Sequence, residues 1–151
     1  MTDELGNSIE SDTIIEDPAR VVEGFLYAMQ DNDWDTVAAA MDENIVYHNV
    51  GLPIINGRNR TLKVLRGLER PGVGFEVKIH RIAVEGTSVL TERTDALIFG
   101  RLRVQFWVCG VFEVRNGKIT LWRDYFDFFD IIKATVRGLV ALAVPALKPT
   151  L

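Results

Sequence analysis

The chain has little of what many enzymes use for chemistry. Its 151 residues include one cysteine, Cys109, and two histidines, His48 and His80. A single thiol excludes an internal disulfide and a thiolate metal cluster. The histidines are far apart and have no ligand cluster around them, which makes a poor metal site. There is no Gly-x-Ser-x-Gly elbow and no glycine-rich loop opening a helix, so neither a serine-hydrolase nucleophile nor a phosphate cradle is indicated. The net charge is −4, with no basic stripe or stacking platform, so nucleic acid is not an expected partner. The most apolar run, Gly138 to Val144, is much shorter than the ~20 residues of a membrane span, and Pro145 follows it. Residues 1–16 are polar and acidic, without a basic start leading into an apolar run. They read as a loose tail, and the expected location is the cytoplasm.

Hydrophobic residues make up 48% of the chain and charged residues 25%, a soluble globular balance. Residues 17–151 suit one domain with a sizeable core. Asp17-Pro18 looks like an N-cap followed by proline in a first helical turn. Val21, Val22, Phe25, Leu26 and Met29 then recur at helical spacing. Asn32 or Asp33 would cap a short second helix carrying Trp34, Val37, Ala38 and Met41. Ile45 to Val50 reads as a strand, Gly51 to Gly57 as a loop, and Arg58 to Leu68 as a third helix. Long strands follow over Phe75 to Val84, Ser88 to Ile98, Leu102 to Arg115 and Lys118 to Phe126, with a strong hairpin signal at Asn116-Gly117. Phe129 to Val144 returns to helix. Helices followed by a meander of strands indicate an α+β fold, in which a strongly bent sheet over the helices would form an internal cone.

The polar residues of interest sit within these strands. Arg93 and Asp95 are two apart and project from one strand face, among Val89, Thr91 and Leu97. A charged pair on an apolar face is costly unless partnered, and Asp124 is the candidate second carboxylate. Two carboxylates held apart by one guanidinium suit paired acid and base work on a neutral substrate. Tyr47 and Asn49 also share a face; a phenol and a carboxamide can hold a water molecule, for which Asp124 would be the base. This requires the first strand to lie near the last. Spacing alone serves a structural Arg93–Asp95 ion pair equally well. Asp124 could pair with Arg123, Tyr47 could be a core tyrosine, and Asn49 a turn former. His48 is expected outside the pocket, His80 on a solvated strand face, and Cys109 packed in its strand.

At these residues the chain closely resembles the limonene epoxide hydrolase family. The matching segments are Tyr47-His48-Asn49, Thr91-Glu92-Arg93-Thr94-Asp95, Gly110-Val111-Phe112, and Gly117 to Asp127 with its Trp122-Arg123-Asp124-Tyr125-Phe126-Asp127 string. The likeness runs from about Pro18 to about Phe128 and is strongest to mycobacterial and other actinobacterial members. It implies a cone-shaped fold of the nuclear-transport-factor and ketosteroid-isomerase type, a homodimer and no cofactor. It also implies roles: Asp124 as base, Tyr47 and Asn49 holding the attacking water, Asp95 as the acid that protonates the epoxide oxygen, and Arg93 as the bridge.

A free aspartate titrates near 3.9, so an acidic Asp95 needs its pKa raised by about 3 units to stay protonated at neutral pH. An apolar pocket would supply part of that by desolvation. Its expected lining is Leu52, Ile54, Val64, Leu68, Phe75, Leu97, Trp107, Val111, Phe128 and Ile132, suited to a lipophilic epoxide. The competing readings are a ketosteroid-isomerase or polyketide-cyclase relative, which would use one acid as a proton shuttle, and a non-catalytic module for lipophilic ligands.

Overall fold

The computed structural model describes residues 16–151. Apart from Glu16, the expected tail lies outside the described residues. The elements run α1 (Pro18–Gln30), α2 (Trp34–Ala40), β1 (Met41–Asn49), β2 (Ile55–Asn56), α3 (Arg58–Leu65), β3 (Val73–Glu85), β4 (Ser88–Phe99), β5 (Leu102–Arg115), β6 (Lys118–Tyr125) and α4 (Phe128–Ala143). The fold is α+β. One curved six-stranded sheet has the order β2-β1-β6-β5-β4-β3.

Local chemistry sets the helix starts. The Asp17 carboxylate accepts from the Ala19 amide at 3.0 Å, with Pro18 in the first turn. Asp33 accepts from Thr36 at 3.1 Å, and Asp127 accepts from Phe129 at 2.8 Å. Each such cap is worth about 1 kcal/mol. Met41 is the first residue of β1 and not part of the second helix, because the chain turns extended there. The third helix stops at Leu65 and tightens into a 3-10 turn over Arg66–Glu69, short of the expected Leu68. The Gly51–Gly57 loop contains the two-residue strand β2.

Tight hairpins fix the register of β3 to β6. Asn116 and Gly117 both have positive φ, 51° and 69°, the geometry of a type I′ turn that matches strand twist. Gly100 begins the loop between β4 and β5 at φ 58°, and Phe99 then pairs with Leu102. Those four strands are antiparallel. β1 joins parallel to β6, so the sheet is mixed. That pairing brings the first strand beside the last.

The concave face carries the core. Phe25 of α1 meets Trp122 edge-on at 5.0 Å and Phe112 at 6.5 Å between ring centroids. Val22, Leu26, Val37, Ile45 and Ile119 are fully buried around them. Gln30 at the end of α1 accepts from the Val77 amide, which occupies a hydrogen-bonding position on the outer edge of β3.

The last helix has a second task. β6 pairs with β5 only from Cys109 to Arg115, so among the described residues Leu102 to Val108 have no strand neighbour on that side. α4 packs against β5. Gly138 makes the close approach: a Cβ there would lie 2.5 Å from the Arg103 carbonyl oxygen.

Candidate active site

Four strands of the sheet supply or frame the polar set. Arg93 and Asp95 extend inward from β4, Asp124 from β6, and Tyr47 and Asn49 from β1. Asn49 is the direct strand partner of Asp124, and Tyr47 of Trp122. Arg93 is 0% exposed, and a buried cation persists only when paired. Its Nε donates to both oxygens of Asp95, at 2.9 and 3.1 Å. Its Nη2 donates to Asp124 Oδ2 at 2.6 Å. Its Nη1 donates to the Thr91 hydroxyl at 3.1 Å.

The two carboxylates are not equivalent. Asp95 keeps both oxygens on Arg93. Asp124 uses one, and its Oδ1 is buried without a hydrogen-bond partner among the described residues. Beside it, Asn49 donates to the Tyr47 hydroxyl oxygen at 2.7 Å. That leaves the phenolic hydrogen and the Asn49 carbonyl oxygen for a further hydrogen bond. The Tyr47 ring lies against Trp122 with centroids 4.3 Å apart.

Burial and neighbouring charge set the protonation states. Burial pushes Asp95 up to about 6, with the nearby Asp124 charge acting in the same direction and Arg93 opposing both. The shift runs in the direction an acid role requires and is smaller than the rise of about 3 units that such a role calls for. Burial and then Asp124 push Tyr47 up to about 12, so it stays a neutral phenol. Desolvation works against the Arg93 cation, but the two aspartates outweigh it and hold the guanidinium above its ordinary value.

These groups open onto a cavity of about 390 Å³ lined otherwise almost wholly by apolar side chains. Of the residues expected to line it, Leu52, Val64, Leu68, Phe75, Leu97 and Phe128 do so. Trp107 and Val111 do not. They have the opposite parity on β5 from Phe106 and Val108, which line the cavity, and so fall on the outer face of the sheet. There Trp107 stacks on His80 at 4.6 Å, and His80 Nε2 lies 2.8 Å from the Thr94 hydroxyl. Cys109 shares that outer face and is exposed, not packed. His48 also points away from the cavity. Ile54 and Ile132 are exposed and outside the lining; α4 contributes Ile131 instead.

Sequence reasoning missed Met29, Leu65, Phe106 and Val108 in the lining, and also Trp122, Phe126 and Ile131. A usable signal existed for β5. A two-residue loop at Gly100-Arg101 puts Asp95 opposite Phe106, and residues directly opposite share a face. Among the described residues no group of three His, Cys, Asp or Glu side chains could hold a metal ion. No helix among them is long and apolar enough to cross a membrane.

Comparison with known proteins gives the family. Residues 16–137 match the family model of the limonene-1,2-epoxide hydrolase catalytic domain. The chain is 63% identical over 130 residues to epoxide hydrolase EphG of Mycobacterium tuberculosis, covering 86% of this chain and 87% of that protein. A solved structure of an M. tuberculosis epoxide hydrolase of this type aligns with a TM-score of 0.85 and 62% identity, over 89% of this chain and 95% of that one. A protein with a ketosteroid isomerase-like fold from Catenulispora acidiphila aligns with a TM-score of 0.67 at 14% identity, over 77% of this chain and 92% of that one, and shares the fold alone. The chain belongs to the limonene-1,2-epoxide hydrolase family.

Proposed function

We propose that this epoxide hydrolase opens a lipophilic epoxide to a vicinal diol in one step, by direct attack of water. Asp124 is the base, Tyr47 and Asn49 hold the water, Asp95 is the acid, and Arg93 ties the two carboxyl groups together. The observation that carries the reading is the asymmetry of the Arg93 set. Asp124 has a buried oxygen, without a hydrogen-bond partner among the described residues, next to Tyr47 and Asn49, while Asp95 is pushed towards its protonated form.

An epoxide is neutral and strained, and its leaving group is an alkoxide. Opening it near neutral pH calls for a proton on the oxygen and a deprotonated water at carbon. In the concerted step a water O–H proton passes to Asp124 as the water oxygen bonds to carbon. The carbon–oxygen bond of the ring breaks, and its electron pair takes the Asp95 proton. One proton enters the product and one is collected, so the set resets when Asp124 returns its proton to Asp95. Each half of such assistance contributes roughly 10²–10⁴-fold. Arg93, hydrogen-bonded to both, ties the two carboxyl groups into one set.

The apolar lining favours a lipophilic substrate. The reading also takes the protein to act as a homodimer. It is supported by exposed apolar side chains on the outer sheet face, Leu90, Trp107 and Tyr125 among them. A single turnover in oxygen-18 water tests the chemistry. Direct attack puts the label in the first diol formed. An unlabelled first-turnover diol, with oxygen drawn from an aspartate, would reject it.

A further inference from the structure

Gly110 is the exception in the inward series of β5. Val104, Phe106, Val108, Phe112 and Val114 are all bulky, and Gly110 sits among them, buried. Glycine inside a strand weakens it. Positive φ does not account for it, since Gly110 is not among the glycines in that region. Space does account for it. A Cβ at 110 would lie 2.9 Å from Asp124 Oδ1, 2.7 Å from the Thr91 hydroxyl oxygen, and closer still to Arg93 Nη1.

Register explains the convergence. Thr91, Gly110 and Asp124 form one lateral row across β4, β5 and β6. Arg93 starts on β4, and Asp124 is two strands away, roughly 9–10 Å at ordinary strand spacing. The guanidinium must therefore pass over β5 to reach it. It does so at the one inward position without a side chain, with Phe112 flanking it at 5.9 Å from Arg93 Cζ to ring centroid. Thr91 then accepts from Nη1, the guanidinium nitrogen that neither aspartate uses.

We propose that Gly110 and Thr91 are positioning residues for the acid–base set: the missing side chain at 110 opens the lane by which Arg93 crosses to Asp124, and the Thr91 hydroxyl fixes the guanidinium's orientation in it. This rests on the roles proposed above for Asp95, Arg93 and Asp124. Neither residue touches the substrate. They act by holding the two carboxyl groups at their separation, and small misplacements of such groups are costly to rate.

The test is steady-state hydrolysis of styrene oxide by the full-length protein, with melting temperature measured alongside. Gly110→Ala is expected to lower kcat about a hundredfold, with KM changed severalfold at most. Thr91→Val, which keeps shape and loses the hydroxyl, is expected to lower kcat about tenfold; Thr91→Ser should restore it. A folded Gly110→Ala protein with wild-type kcat would overturn the proposal. If Gly110→Ala does not fold, the Thr91 pair decides. A Val variant as fast as wild type, or Val and Ser variants equally slow, would overturn it. Asp124→Asn, assayed in parallel, separates the two levels. Activity surviving in that variant sinks the acid–base reading itself. Activity lost there but retained in Gly110→Ala sinks only the positioning role.

Discussion

Asn49 and Asp124 come from opposite ends of the sheet-forming sequence and are direct partners across the parallel β1–β6 pairing. That one register brings the Tyr47–Asn49 hydrogen bond alongside the unpartnered oxygen of Asp124. The site is thus a product of strand pairing, with its polar groups rigidly placed in the sheet.

Asp95→Asn and Asp124→Asn each remove one half of the proposed acid–base pair. Each should lower diol formation by roughly 10²–10⁴-fold while circular dichroism stays native. An Asp124→Asn protein at the wild-type rate would mean that the base is another group.

Tyr47→Phe removes one of three groups proposed to hold the water. The loss should be smaller, about tenfold in kcat. Because Tyr47 is pushed up to about 12, its ionisation should leave no mark on a pH–rate profile over the neutral range. A rate that follows a tyrosine titration between about pH 8 and 10 would contradict this.

Asp95 must be protonated to act as the acid, so kcat should fall as pH rises through about 6. Stability should change in the same direction. The native carboxyl holds its proton more tightly than the unfolded one. Its contribution is therefore full below the ordinary value of 3.8 and lost as pH climbs through about 6. Between about pH 4 and pH 7 the wild type should lose melting temperature relative to Asp95→Asn. Parallel curves would show that Asp95 is not the group titrating.

Arg93→Met leaves two buried carboxylates without their cation. The expected cost is about 3–5 kcal/mol at neutral pH, read by urea unfolding. Acidification should recover part of it, because Asp95 can then take a proton. Arg93→Lys should not rescue activity, since one ammonium cannot reproduce the fork that engages Asp95, Asp124 and Thr91 together.

Phe106 and Trp107 are neighbours on opposite faces of β5. Phe106→Ala should enlarge the cavity and shift preference towards bulkier epoxides, read as the ratio of kcat/KM between large and small substrates. Trp107→Ala should leave that ratio unchanged. The reverse pattern would mean that the cavity lies on the other face.

Much of this was legible in the sequence, for identifiable reasons. Strand period alone puts Arg93 with Asp95 and Tyr47 with Asn49. Glycine-marked turns delimit the long strands, and capping aspartates mark the starts of α1 and α2. The proposed site requires the first strand to lie near the last, but sequence does not show that they pair or that they run parallel, because nothing local encodes which strand a distant strand meets. The exit of Met41 from the second helix is a backbone turn with no distinctive residue. The lining depends on which side of a strand or helix faces inward. Trp107 is as apolar as Phe106, and Ile132 as apolar as Ile131; only register and packing separate them.

The C-terminal helix stands where a neighbouring strand would otherwise run along β5, and the same helix provides Phe128 and Ile131 to the cavity wall. Shortening the chain from that end would therefore do two kinds of harm together. The substrate chamber would be breached, and a length of bare strand would be left to recruit other molecules into aggregates. Engineers wishing to admit larger epoxides should widen the chamber from within and leave its outer brace whole.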